Sequence, residues 1–157
     1  MANEFSIRKV TLADSQEVLE CLKEAFEPYR KTYTELAFAD TVLTSETLRK
    51  RLSQMQVLVA TDITNRVIGT IAYKLSNGEG HIRGMAVRPK HQGAGVASAL
   101  LAQAESDLRR LHCTSVRLDT TRPLNRAMRF YERNGFRRTG EVAAFFGMEL
   151  LAYRKQF

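Results

Sequence analysis

Residues 81–120 constrain the fold most, because they combine a strand pattern, a glycine-bearing turn, a helical pattern and a second strand pattern. Residues 95–110 place apolar side chains at the helical period, and residues 115–120 alternate as a strand does. A crossover of this length between neighbouring strands makes them parallel. The segment therefore predicts one parallel strand pair.

The remaining strand patterns predict antiparallel pairing. Segments 57–61, 67–74 and 81–87 are separated by short turns, which indicates three consecutive antiparallel strands. Gly84 lies inside the third, where a lone glycine often marks a bulge or a close approach to the backbone. Further strands are predicted at 5–9, 136–141 and 148–154, with 142–147 ambiguous.

Two helices are predicted between the first two strands. Residues 14–17 have capping-box spacing before an apolar stripe that Pro28 ends, and Thr44 or Ser45 caps the second helix. The polar, aromatic segment 29–40 between them predicts a loop.

A last helix is predicted over residues 125–134, with Asn125 at its N-cap and Gly135 closing it. The order is therefore β-αα-βββ-α-β-α-ββ. It predicts an α/β (α+β) fold with a mixed, mostly antiparallel sheet of six to seven strands and helices on both faces. We expect one domain over residues 1–157.

Composition excludes several classes of protein. With 157 residues and 44% hydrophobic content, the chain can bury a core without disulfides or metals. Cys21 and Cys113 are predicted as buried core residues, and no His or Cys spacing suits a metal site, so no metal is expected. No apolar run approaches the roughly 20 residues of a membrane span. Without an evident signal segment, a soluble cytoplasmic protein is expected.

The net charge of +7 is unevenly distributed, because residues 81–157 carry 14 Lys and Arg against 6 Asp and Glu. An anionic partner would therefore bind the second half. The arginines of that half lie on separate predicted elements without an aromatic stacking stripe, so nucleic acid is not the predicted partner.

The turn before the long helix has the properties of a phosphate site. Gly93 and Gly95 permit a tight turn with exposed N–H groups, and the following helix adds its own unpaired N–H groups and the positive end of its dipole. A dinucleotide-binding G-x-G-x-x-G would need glycine at Ser98, and a P-loop would need lysine at Val96. The turn thus predicts a pyrophosphate site of a different type.

Three segments together resemble the GNAT-type N-acetyltransferases. Residues 87–89 match V-x-P, residues 92–97 match Q-x-x-G-x-A, and residues 125–136 are similar to the family's N-x-x-A-x-x-F-Y-x-x-x-G-F segment. Residues 7–14 resemble the family's first strand and helix start. The resemblance spans essentially the whole chain.

The resemblance implies that acetyl-CoA is the cosubstrate. The loop would bind its pyrophosphate, and the third strand of the meander would bind its pantetheine arm beside the bulge at Gly84. Arg88 and Lys90 flank the loop and could meet phosphates or simply be solvated. The implied cofactor-binding residues are Met85, Ala86, Val87, Gln92, Gly93, Ala94, Gly95, Val96, Ala97 and Asn125.

The resemblance also implies catalytic roles. Tyr131 corresponds to the family's general acid, which would protonate the departing thiolate, although it also fits an apolar helical stripe. His81 is the first candidate for the base that deprotonates the amine, Glu79 is the second, and ordered water is a third option. An ordinary strand histidine is the competing interpretation of His81.

The expected activity is direct acetyl transfer from acetyl-CoA to a primary amine of a small molecule or peptide, in a ternary complex. The alternative is a catalytically weak regulatory module that binds acyl-CoA. Family members often pair as dimers, so a homodimer is compatible with the resemblance. In relatives the loop between the first two helices bounds the acceptor site, and its aromatic and charged members here are Tyr29, Arg30, Lys31, Tyr33 and Glu35.

Overall fold

The computed structural model describes residues 4–157 and centres on a seven-stranded sheet. Its strands lie in the order β1-β2-β3-β4-β5-β7-β6, and only β4 and β5 are parallel neighbours. The predicted mixed, mostly antiparallel sheet with one parallel pair is confirmed. The strands are β1 Phe5–Lys9, β2 Gln56–Asp62, β3 Val67–Ser76, β4 Glu79–Val87, β5 Ser115–Thr121, β6 Arg137–Phe145 and β7 Met148–Gln156.

Residues 4–157 contain five α-helices, four of which pack against the two faces of the sheet. Alternate residues of β2 belong to different hydrophobic clusters: Leu58 packs with α4 and α5 side chains, and Val59 packs with α1 and α3 side chains. Because successive strand residues point to opposite faces, helices cover both sides, as predicted. The helices are α1 Ser15–Phe26, α2 Glu35–Val42, α3 Ser45–Gln54, α4 Val96–Arg110 and α5 Asn125–Arg133.

The predicted loop over residues 29–40 is wrong. The segment contains a 3-10 helix, Glu27–Thr32, and most of α2. Thr34 caps α2, because its hydroxyl accepts a hydrogen bond from the Ala37 N–H at 3.2 Å. The sequence pattern is weak here since only Ala37 and Phe38 of this helix are buried. Three α-helices, rather than two, therefore separate β1 from β2.

The predicted capping box of α1 is also wrong. The Asp14 carboxylate accepts a hydrogen bond from the Thr11 N–H at 2.7 Å and pairs with Arg8 at 2.7 Å, instead of capping α1. Glu17 accepts a bond from the Val67 N–H at 3.2 Å. The hydrogen bonds from Arg8 lower the pKa of Asp14 to about 2, against the opposing effect of burial. Both carboxylates therefore join the helix start to the strands.

Two boundaries differ in the C-terminal part. Leu124 occupies the N-cap of α5, so Asn125 is the first helical residue and not the predicted N-cap. The ambiguous segment 142–147 divides into the end of β6 and a tight turn, where Phe146 and Gly147 both have positive φ. These two residues let β6 fold back on β7.

Both cysteines are buried, as predicted, and burial raises the pKa of the Cys21 thiol to about 12. Among the residues that the structure describes, none of the helices is long and apolar enough to span a bilayer.

Candidate functional site

The parallel strands β4 and β5 separate to form a cavity. Their ladder runs only from Gly80 to Ile82 on β4, and beyond it the strands diverge. A cavity of about 460 Å³ lies in the opening. Both strands, the N-terminal end of α4 and one face of α5 line it.

A β-bulge marks the diverging part of β4. Thr70 pairs with Ala86 and Ala72 pairs with Arg83, so one residue of β3 faces two residues of β4. Gly84 adopts φ +60° there, a conformation that glycine accommodates without a Cβ clash. The predicted bulge at Gly84 is confirmed. It turns the backbone of residues 85–87 along the cavity wall, and all three residues line the cavity.

The glycine turn lies at the mouth of the same cavity. Gly93 and Gly95 have φ +82° and +87°, and an added Cβ at either would meet no atom within 4 Å. The α4 ladder begins with the Ala99 N–H donating to the Gly95 carbonyl at 3.0 Å, and no side chain caps the helix. The N–H groups of residues 96–98 therefore remain available to an anion.

Gln92 holds this turn in place. Its side-chain amide donates to the Val87 carbonyl at 3.0 Å, and its oxygen accepts a bond from Arg126 at 2.9 Å. Gln92, Gly93, Gly95 and Ala97 line the cavity. The remaining predicted loop residues do not line it: Ala94 lies outside, and Val96 is buried in the core below α4.

Arg88 has a structural role that neither sequence interpretation anticipated. It is only 3% exposed, and its guanidinium donates to the Val67 carbonyl at 2.7 Å. It also pairs with Glu24 at 3.0 Å on α1. Arg88 is therefore neither solvated nor free to bind a phosphate, whereas Lys90 is exposed.

Tyr131 fulfils both sequence interpretations at once. It is only 8% exposed and packs against Phe130, Phe136 and Tyr153, yet it also lines the cavity. Burial, and to a smaller extent Tyr33, raises the pKa of its phenol. Tyr131 therefore carries its proton at neutral pH, and its phenol can hydrogen-bond to an anion that develops in the cavity.

His81 lines the cavity farther down β4. Its Nε2 lies 3.7 Å from the Asp119 carboxylate of β5 and has no hydrogen-bond partner among residues 4–157. Burial lowers the pKa of His81, and Asp119 opposes that shift. The hydroxyl of Thr120 is likewise buried and unpaired within this described region. His81 on β4 and Thr120 on β5 thus present polar atoms that a ligand can satisfy.

The structure does not bring Glu79 or the Asn125 side chain to the cavity lining. Glu79 lies at the start of β4, where its carboxylate accepts bonds from Arg154 at 2.7 Å and Ser115 at 2.8 Å. These bonds lower the pKa of Glu79 against the opposing effect of burial, its largest single influence. Asn125 is exposed, whereas its neighbours Leu124 and Arg126 line the cavity.

Sequence reasoning missed the polar side chains on the α2–α3 side of the cavity. Asp40, Arg51 and Arg83 line it together, with the Arg83 guanidinium 3.8 Å from the Asp40 carboxylate. Arg51 has no sequence signal, because it lies among the charged residues of a short amphipathic helix. Tyr33, which sequence reasoning placed near the acceptor, lines the cavity and its hydroxyl lies 2.6 Å from the Thr121 hydroxyl.

Within residues 4–157 no group of three His, Cys, Asp or Glu side chains is arranged to hold a metal ion.

The family model described as Acetyltransferase (GNAT) family matches residues 16–136. This range contains the splayed strands, the glycine turn and Tyr131. No curated protein sequence matches the chain.

Solved structures of acetyltransferases share the fold. PaiA N-acetyltransferase from Thermoplasma acidophilum, in complex with coenzyme A, superposes with a TM-score of 0.82 at 20% identity, covering 98% of this chain and 99% of that one. A GNAT-family acetyltransferase from Staphylococcus aureus superposes with a TM-score of 0.79 at 18% identity, and the match covers 98% of this chain and 99% of that one. The ribosomal-protein-S18-alanine N-acetyltransferase from Escherichia coli superposes with a TM-score of 0.78 at 13% identity, and the match covers 98% of this chain and 94% of that one.

Proposed function

The chain belongs to the acetyltransferase (GNAT) family, and on that premise we propose that it transfers the acetyl group of acetyl-CoA directly to a primary amine. One observation carries the proposal: the anion-binding turn and the phenol of Tyr131 open into the same cavity between β4 and β5. The similar Thermoplasma acidophilum protein was solved in complex with coenzyme A, which supports the same cosubstrate here.

The described residues suit a long ligand with an anionic end. The turn at Gly93 and Gly95 offers backbone N–H groups without a side chain in the way. The backbone of residues 85–87 lacks ladder partners on its β5 side, because the parallel ladder ends at Ile82. An amide-containing arm can therefore hydrogen-bond along β4 as an added strand would.

Conversion of the acceptor ammonium to an amide removes two protons from its nitrogen and supplies one proton to the departing thiolate. The amine nitrogen attacks the thioester carbonyl carbon, a C–N bond forms, and the C–S bond then breaks. Neutral His81 accepts the first proton of the acceptor ammonium directly or through a water molecule, and Tyr131 donates its proton to the departing thiolate. The second nitrogen proton, released as the C–N bond forms, passes through water to the Tyr131 phenolate and restores the phenol. No covalent enzyme intermediate is required.

His81 suits the role of base better than Glu79. His81 lines the cavity and its Nε2 is unpaired among the described side chains, whereas Glu79 is outside the lining and engaged by Arg154 and Ser115. Burial keeps His81 neutral at physiological pH by lowering its pKa. A neutral imidazole is the form that accepts a proton.

The test is release of free thiol from acetyl-CoA in the presence of a panel of primary amines. Amine-dependent thiol release, with the acetylated amine detected by mass spectrometry, is expected. Binding of acetyl-CoA without transfer to any amine would contradict the proposal and favour a regulatory acyl-CoA-binding module.

A further inference from the structure

The guanidinium of Arg51 lies directly over the β4 bulge. Arg51 projects from α3 into the cavity lining, and a Cβ built on Gly84 would collide with its Nη1 atom. The absence of a side chain at Gly84 therefore allows the guanidinium to approach the β4 backbone. This position is adjacent to Met85, on the side of the cavity formed by α2 and α3.

Arg51 is a half-buried charge without a protein counterion. It forms no hydrogen bond through its side chain and no ion pair within 4.0 Å in the part of the chain that the structure describes. Burial, and then the charge of Arg83, lower the pKa of Arg51 to about 10, against the opposing charge of Asp40, which lies beyond 4.0 Å. Removing a charge from water is costly unless an anion compensates it. Arg126 and Arg133 also line the cavity without a carboxylate within 4.0 Å among residues 4–157, but both are exposed to water, whereas Arg51 is half-buried. Eight other arginines have a carboxylate within 4.0 Å, namely Arg8, Arg30, Arg83, Arg88, Arg110, Arg117, Arg122 and Arg154.

The charges around Arg51 leave an excess of one positive charge. Arg83 is partly compensated by Asp40 at 3.8 Å, and both residues line the same side of the cavity. A single carboxylate would balance the remaining charge, and a planar guanidinium binds a carboxylate through two parallel hydrogen bonds. A second ammonium group on the acceptor would instead be repelled.

The proposed base His81 is the group that would meet the amine. It lies on β4, and Asp119 and the unpaired Thr120 hydroxyl of β5 line the same cavity. His81 precedes Gly84 by three strand residues, which corresponds to about 10 Å at roughly 3.3 Å per residue. An acceptor that reaches both His81 and Arg51 therefore carries its amine and its anionic group within about that distance.

We infer that the acceptor is a small amine that also carries a carboxylate, such as a free amino acid, and that Arg51 binds this carboxylate. The inference rests on the proposed acetyl transfer and specifies its substrate class. Arg51 is thus a specificity-determining residue, and Gly84 provides the space it occupies.

The test compares amino acids with their own carboxamides. Thiol release is measured for a set of α- and ω-amino acids, for the matching amides, and for spermidine, with wild-type protein and with Arg51→Gln, Arg51→Lys and Arg49→Gln. Arg49 lies on the same helix but is exposed and outside the cavity, so Arg49→Gln controls for the lost charge.

For the wild type we expect kcat/KM to be about 10- to 100-fold higher for the best carboxylate than for its amide, the range for a charged hydrogen bond. Arg51→Gln should abolish this preference through a higher KM for the carboxylate, with the amide unaffected. Arg51→Lys should retain part of it, and Arg49→Gln should retain all of it.

The outcomes separate this inference from the proposed function. Equal or better acetylation of amides or spermidine, or a carboxylate preference that survives in folded Arg51→Gln, overturns the inference and leaves acetyl transfer intact. Thermal melting verifies that each variant is folded. Binding of acetyl-CoA with no acetylation of any amine overturns both.

Discussion

Tyr131 illustrates how a single side chain serves packing and chemistry. Its ring centroid lies 5.7 Å from that of Phe130 and 5.9 Å from that of Phe136, both in edge-to-face geometry. This packing fixes the ring and removes it from water, which raises the pKa of the phenol. The same burial that stabilises the fold therefore preserves a proton donor in the cavity.

Replacing Tyr131 with Phe should lower kcat by about 10²- to 10⁴-fold, the usual contribution of general acid catalysis. The dissociation constant of acetyl-CoA should change by less than about twofold, because phenylalanine retains the aromatic packing. Steady-state kinetics and calorimetry measure the two effects.

Tyr33→Phe is the matched control, since Tyr33 lines the same cavity but its hydroxyl is engaged by Thr121. It should retain kcat within about tenfold. A Tyr131→Phe enzyme with wild-type kcat would contradict the proposed role of the phenol.

Protonation of His81 should cause the loss of activity at acidic pH, which is the acidic limb of the pH profile. The imidazole accepts a proton only when neutral, so kcat/KM should fall as the pH decreases through the pKa of His81 in the free enzyme. Burial lowers this pKa from its ordinary value near 6.5. The limb is therefore expected below pH 6.5, and His81→Gln should remove it while lowering kcat.

The variant Asp119→Asn tests the direction in which the acidic limb of the pH profile moves. The Asp119 carboxylate favours the imidazolium, so its removal should move the acidic limb to still lower pH. A limb that stays in place in both variants would exclude His81 as the titrating base.

Arg88 connects helix α1 to the strands that form the cavity. It follows β4, donates to a β3 carbonyl, and pairs with three glutamates of α1, the nearest at 3.0 Å. A buried guanidinium in this position holds the helix and strands in one arrangement. The cavity wall depends on this arrangement without Arg88 touching a ligand.

Arg88→Gln should lower the free energy of unfolding by about 1.5–3 kcal/mol, the contribution of hydrogen bonds to a charged group. For a chain of this size that corresponds to a fall in Tm of about 3–12 °C. Thermal denaturation measures the loss, and Lys90→Gln should show none because Lys90 is exposed. A raised KM for acetyl-CoA without a loss of stability would instead indicate a phosphate-binding role.

Elements with a strong local pattern could be predicted from the sequence. The crossover through α4 has a sustained apolar period and a glycine turn, so its strands, its helix and the turn between them were all recognisable. Helix α2 was not, because its eight residues bury only Ala37 and Phe38. Asn125 was assigned to the N-cap from residue preference alone, whereas Leu124 occupies that position and asparagine begins the helix.

The residues of the candidate site also differ in how well the sequence predicts them. The turn at Gly93 and Gly95 is contiguous in sequence, and both glycines have the positive φ that the residue type favours. The environment of Arg51 comes from three separate elements that meet only in the folded chain. The displacement of Glu79 from the cavity likewise depends on Arg154 and Ser115, which are distant in sequence.

At the scale of the whole molecule, the topology itself creates the site. The seven strands form six neighbouring pairs, and the parallel pair is the one whose ladder stops after three residue pairs. The glycine turn, Tyr131 and His81 all belong to the crossover or to the elements beside it. The basic character of residues 81–157 is consistent with an anionic cosubstrate bound to this half.

The most direct measurement is calorimetric titration of acetyl-CoA, with NAD as the comparison ligand, into the wild type, Gly95→Glu and Gly140→Glu. Gly140 has nearly the same φ, +89°, and equally open space, but it lies on β6 outside the cavity lining. The two variants therefore carry the same charge and the same backbone strain.

We expect selective binding of acetyl-CoA by the wild type and by Gly140→Glu, and loss of that binding in Gly95→Glu, whose carboxylate would face the pyrophosphate. Unchanged binding by a folded Gly95→Glu variant, or no binding by the wild type, would contradict the account.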